Sequence, residues 1–153
     1  MKKTQLDGVL VFFIDRAQGL YAPSQSQNER PILENVFVSG RIGPTILFKT
    51  RVIKNAENPI WEKKCKNTLC HEAENITINV RNLINDLGGS SDIASIHFPC
   101  KDIIEGNKIE GWYDLTNDGK QNGRIKMSLE YHSKEELEKL KQNAVIEDLF
   151  HYF

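Results

Sequence analysis

Apolar side chains recur every second residue along most of this chain, and the runs are short. Ile76, Ile78 and Val80 share one face of a strand, as do Ile125, Met127, Leu129 and Tyr131, with Arg124, Lys126, Ser128 and Glu130 on the opposite face. Residues 6–14 are apolar on both faces, as a fully buried strand is. Further strands are predicted at 35–42, 46–54, 60–66, 75–81, 93–98, 110–115 and 123–131. Turn chemistry separates them: Gly40, Gly43 and Pro44, then Asn58-Pro59, then Asn117-Asp118-Gly119 ahead of Gly123. A polar loop holding Pro23 and Pro31 fills 18–34. Eight short strands so spaced predict an all-β fold, an eight-stranded antiparallel β-sandwich over residues 1–132.

Residues 133–153 change to a helical period and form a C-terminal helical extension. Ser133-Lys134-Glu135-Glu136 is a capping box, with Ser133 accepting from the helix start and Glu136 reaching back. Leu137, Leu140 and Ala144 lie on one side of that helix. Val145, Ile146, Leu149, Phe150 and Phe153 lie on the other, about half a turn away at roughly 100° per residue. One half is expected to pack on the sandwich and the other, with Phe150 and Phe153, to bind a partner.

With 153 residues the chain buries a core without staples, and one domain is the expected count. A net charge of −1 gives no global attraction to nucleic acid or to an acidic membrane, so electrostatic partners need a local patch. One exists. Between Lys49 and Lys66 stand six cations (Lys49, Arg51, Lys54, Lys63, Lys64, Lys66) against two anions, Glu57 and Glu62. Cys65, Cys70 and Cys100 are odd in number and lack C-x-x-C pairing, which points to buried free thiols in a reducing compartment. Met1-Lys2-Lys3 before Val9–Ile14 imitates a signal peptide, but the apolar run is too short, and no run is long enough to span a bilayer. A cytoplasmic location is expected, peripheral at a membrane or within a large complex.

The central segment carries a family resemblance. Lys49-Thr50-Arg51-Val52-Ile53-Lys54 followed by Asn58-Pro59-Ile60-Trp61 resembles the centre of a C2 domain. Ile93-Ala94-Ser95-Ile96 with Phe98-Pro99, Gly111-Trp112-Tyr113-Asp114-Leu115 and Gly123–Tyr131 are similar to its later strands, so the resemblance covers about residues 6–132. Arg51-Val52-Ile53 and Glu110-Gly111-Trp112 add a flavour of the phospholipase D amino-terminal C2 domain, although the chain is too short for that enzyme's catalytic body. The family's calcium-binding members converge about five aspartates on two loops, because Ca²⁺ takes six to eight oxygens. Here the loop Gly19–Glu34 has no aspartate, and the other loop has Asn82 and Ile84, then Ser90 or Ser91, where the family has aspartates. Only Asp86 and Asp92 remain, so the resemblance implies a calcium-independent member with no metal site and no cofactor.

Catalytic signatures are missing as well. Asp114–Gly119 imitates an EF-hand start, yet Thr116 and Ile125 occupy ligand positions and a hairpin turn is expected. His71-Glu72 lacks a second zinc-protease histidine, and no nucleophile elbow, P-loop or dinucleotide fingerprint occurs. Cys100 reads as a buried thiol beside Pro99. The chain therefore reads as a non-catalytic docking module, not an enzyme. The resemblance implies that the basic strip binds an anionic phospholipid surface, helped by Leu83, Ile84 and Leu87 on a loop tip. The alternative is a structural subunit or adaptor of a larger protein assembly, docked through the helix and a sheet face. Neither nucleic acid nor a transmembrane segment is expected.

Overall fold

The computed structural model describes residues 3–21, 35–54, 57–84, 89–106 and 108–143. In chain order the elements are β1 (Thr4–Gln18), β2 (Asn35–Ile42), β3 (Thr45–Lys49), β4 (Ile53–Lys54), β5 (Ile60–Ala73), β6 (Asn75–Leu83) and β7 (Ser90–Pro99), then α1 (Cys100–Gly106), β8 (Lys108–Asn117), β9 (Lys120–Ser133) and α2 (Lys134–Asn143). Every ladder is antiparallel, and the strands run β3-β2-β6-β7-β8-β9-β1-β5 with β4 also on β2. The ladder between β7 and β8 is the single rung Ser95–Thr116. There the sheet divides into two halves, β3-β2-β6-β7 and β8-β9-β1-β5, and the antiparallel sandwich follows.

Alternation builds the core. Leu6, Leu10, Phe12 and Ile14 of β1 are fully buried, and Val36, Val38, Ile76, Ile78, Val80, Ile125, Met127 and Leu129 join them. Aromatic pairs connect the halves: Phe12 meets Phe48 with ring centroids 4.8 Å apart, and Phe98 meets Tyr113 edge-on at 5.2 Å. Phe48 lies on Gly40, its ladder partner, and a Cβ at residue 40 would drive into the ring. Asp118 and Gly119 both take positive φ, the geometry of a tight two-residue hairpin turn, so Asp114–Gly119 is the expected hairpin.

Three expectations need correction. The strand predicted at 46–54 is two, so the strands number nine among the described residues. Thr50 interrupts it: its N–H donates to the Val38 carbonyl at 2.8 Å, and its Oγ1 accepts from the Val38 N–H at 2.9 Å. The strand predicted at 60–66 continues to Ala73, because β5 is an edge strand on which Thr68, Cys70 and Glu72 can face solvent. Helix α1 has no counterpart among the expected elements. It is a single short plug whose Cys100 and Ile103 are buried, too short to show a helical period.

The extension begins where the capping box placed it. Ser133 Oγ accepts from the Glu136 N–H at 3.1 Å, while the Glu136 carboxylate turns to His132 Nδ1, also at 3.1 Å, instead of reaching back along the backbone. Leu137 is buried. Ala144 and the proposed partner-binding residues Val145, Ile146, Leu149, Phe150 and Phe153 lie outside the described residues.

Gly40→Ala should lower stability by about 1–3 kcal/mol, since overpacking must displace Phe48 or the backbone. Pairing it with Phe48→Leu should recover part of the loss. Denaturant unfolding of the four proteins checks this, and a neutral Gly40→Ala would contradict the packing described.

Candidate functional site

The outer surface of the β3-β2-β6-β7 half is polar and concave. Since Val38 and Gly40 point inward, Phe37, Ser39 and Arg41 point outward, and the register sets Ser39 between Lys49 and Asn79, with Ser95 beyond. Phe37, Arg81 and Asp92 form the neighbouring row. Together these strands enclose a cleft of about 420 Å³. Ser39 and Asn79 on its floor are only 6% and 8% exposed. Among the described residues neither side chain has a hydrogen-bond partner. Their polar atoms are not sealed from solvent; they open into the cleft.

Arg41, Lys49 and Arg81 supply positive charge around the floor. Arg81 is held in place by Ser90, with Nε to Oγ at 2.8 Å and a terminal nitrogen to the carbonyl at 3.1 Å, and it pairs with Asp92. Arg41 and Lys49 are exposed. With one carboxylate against three cations, the cleft can neutralise an anion while serine and asparagine bond its oxygens.

The cations from Lys49 to Lys66 do not share one pair of strands. β3 and β4 pair with β2, β5 pairs with β1, and β3 and β5 are opposite ends of the strand order. The ends meet near Arg51, whose guanidinium donates to the Ile60 carbonyl at 3.3 Å. Lys49 therefore belongs to the cleft, whereas Lys64 and Lys66 stand opposite Phe13 and Val11 on the other half. Lys54 is exposed on β4, and Lys63 shares its side of β5 with Cys65. Burial and then the charge of Lys64 hold the Lys66 amine below the ordinary lysine value. Sequence spacing found Lys49 but missed Arg41, Ser39, Asn79 and Arg81, whose only signal was polar residues at alternate positions of the strands predicted at 35–42 and 75–81.

Of the loop-tip candidates, Leu83 closes β6 opposite Ser90 and is half-buried, so it belongs to the strand. Ile84 is 62% exposed, on the connection between the cleft strands β6 and β7. Its N–H donates to the Gly89 carbonyl at 2.7 Å. Leu87 lies outside the described residues, as do Asp86 and residues 22–34. At Asn82, where the family places a carboxylate, Oδ1 accepts from the Asn35 N–H at 3.0 Å; the nearby Asp92 pairs with Arg81. The described residues contain no cluster of three or more His, Cys, Asp or Glu able to hold a metal.

The thiols differ from expectation, since of the three only Cys100 is fully buried. Cys65 is half-buried and Cys70 is exposed, because strand alternation on an edge strand leaves one face wet. Burial pushes the Cys100 thiol up to about 11, and raises Cys65 against the opposing pull of Lys63.

Two antiparallel halves joined by one rung define a β-sandwich, with a cleft on one outer surface. The C2 domain family model matches residues 8–115, and the chain belongs to that family. It is 28% identical over 109 residues to phospholipase D gamma 3 of Arabidopsis thaliana, covering 69% of this chain but 12% of the relative. To phospholipase D beta 2 of the same plant it is 26% identical over 117 residues, covering 74% and 12%. Among solved structures, a fragment of extended synaptotagmin 2 that joins an SMP domain to two C2 domains superposes with TM-score 0.68 at 19% identity, covering 91% of this chain and 31% of that one. A C2 domain-containing protein from a putative elicitor-responsive gene superposes with TM-score 0.64 at 14% identity, covering 86% and 93%. The chain thus spans a small part of the curated relatives it matches. No helix among the described residues is long and apolar enough to cross a membrane.

A thiol held neutral in the fold stabilises fully below the ordinary value of 9.0, and that contribution is lost as pH rises toward about 11. Stability should therefore fall across that window, and fall less steeply in Cys100→Ala. Denaturant unfolding at several alkaline pH values checks this, and identical slopes would contradict it.

Proposed function

We propose that this C2 domain is a non-catalytic docking module that seats an anionic lipid head group in the β2-β3-β6-β7 cleft without calcium. The observation that carries the reading is the cleft floor: Ser39 and Asn79, without a side-chain partner among the described residues and open to the cleft, beneath Arg41, Lys49 and Arg81. A phosphate ester supplies what that floor lacks, namely acceptor oxygens bearing charge. Ile84 leads from the same two strands and can enter the acyl boundary beside a bound head group. Arg51, Lys54 and Lys63 near the seam, with Lys64 and Lys66 on the other half, add long-range attraction to an acidic surface. Calcium independence is supported by Asn82 at one of the family's ligand positions and by the Arg81–Asp92 pair, which a metal would have to break. Resemblance to phospholipase D and extended synaptotagmin sequences and folds fits a module that positions other domains at a bilayer.

Sedimentation with phosphatidylserine-containing vesicles in chelator tests the reading. Each basic residue near an acidic membrane is worth about 1 kcal/mol. Arg41→Glu with Lys49→Glu should therefore weaken binding by an order of magnitude or more. Added salt should weaken the wild type, while Lys134→Glu should change little. Equal binding of the double variant and the wild type would refute the cleft assignment.

Calcium should leave the melting temperature where it is. A ligand stabilises the native state by RT ln(1 + [L]/Kd), and the carboxylates for a low Kd are lacking. An upward shift in millimolar calcium that disappears in Asp92→Asn would overturn calcium independence.

A further inference from the structure

β5 ends the strand order, and among the described residues β1 is its sole ladder partner from Ile60 to Ala73. The Ile60 carbonyl accepts from Arg51, and beyond it every second residue of the strand presents its N–H and C=O away from β1, a template for another strand. The exposed edge carries Lys63, Lys64 and Lys66, with Lys64 and Lys66 on one face. Their ladder partners on β1, Phe13 and Val11, form an apolar strip behind them, with Phe13 38% exposed and Ile60 41% exposed nearby. Two donors on the same strand, Trp61 Nε1 and Asn67 Nδ2, are buried without an acceptor.

We infer that β5 is a strand-addition site for an extended acidic segment of a partner protein. Main-chain hydrogen bonds to the β5 edge would supply affinity, and carboxylates two residues apart would meet Lys64 and Lys66 as opposite-charge cross-strand pairs. Apolar residues beside those carboxylates would cover Phe13. A second copy of this chain fits less well, because a register that overlaps the two basic runs opposes like charges. A bilayer fits less well, because hydrocarbon cannot satisfy an open strand edge. The inference is independent of lipid binding in the cleft, which lies on the other half of the sheet.

Amide hydrogen exchange and NMR shift mapping on the full chain test it, using a short peptide that alternates glutamate with valine. The expected result is slowed exchange at alternate β5 amides, with shifts centred on Lys64 and Lys66. Lys64→Glu with Lys66→Glu should weaken binding at least tenfold, and so should N-methylation of the peptide backbone on one edge, which removes the pairing without changing charge. A lysine–valine peptide should not bind. The inference falls if the N-methylated peptide binds equally, or if the lysine–valine peptide does. It also falls if β5 protection grows with protein concentration alone, which would mean a second copy, or if phosphatidylserine vesicles protect the same amides.

Discussion

The contact of Phe48 with Phe12 across the sandwich, over the bare backbone of Gly40, sets the geometry of the cleft. Phe48 is on the last rungs of a five-residue edge strand and Phe12 is central to the longest one, so this pair joins the outermost strand of one half to the core of the other. Because Phe48 must point inward, its neighbour Lys49 must point outward, opposite Ser39. A one-residue slip of β3 would send the lysine toward the core and the phenylalanine into the cleft. Gly40 is the concession that permits it, since any side chain there meets the ring. Beside the pair, Thr50 bonds Val38 with both its backbone and its hydroxyl, ending β3 and freeing the chain to form β4.

Much of this fold is legible in the sequence because alternation is strong where both halves are buried. The faces of β9 and β6 emerge residue by residue as the pattern implies, and the Asp118-Gly119 turn and the Ser133 cap lie where local chemistry puts them. The sequence is least informative at the edges. β5 has solvent on one side, so its apolar signal fades after Cys65 although the ladder continues, and the break at Thr50 depends on a hydrogen bond to a strand twelve residues away. The cleft was harder still. Strand spacing shows that Lys49 and Arg51 are cations, but which cations share a surface depends on strand order, and that separates Lys49 from Lys64. Ser39 and Asn79 gave no signal alone; they matter only because neighbouring strands set them side by side on the floor of the cleft.

The two outer surfaces therefore have different chemistry. One is concave, with polar side chains below and exposed cations at the rim, suited to a small anion. The other ends in the basic edge strand β5, where strand addition is proposed. A C2 domain with both could meet a membrane and a protein at once, consistent with a module that spans only a small share of the proteins it resembles. The extension adds a third element: Leu137 fastens α2 to the body, and His132 between the Glu130 and Glu136 carboxylates, at 2.9 and 3.1 Å, ties the helix to β9.

The most direct test of the cleft assignment is a titration of the isotope-labelled protein with glycerol phosphate, observed at the side-chain amide of Asn79. The account predicts saturable shifts at that amide and at the backbone of Ser39, Arg41 and Lys49, lost in Lys49→Glu, with β5 unmoved. Shifts confined to Lys64 and Lys66, or a silent Asn79 amide at saturation, would contradict it.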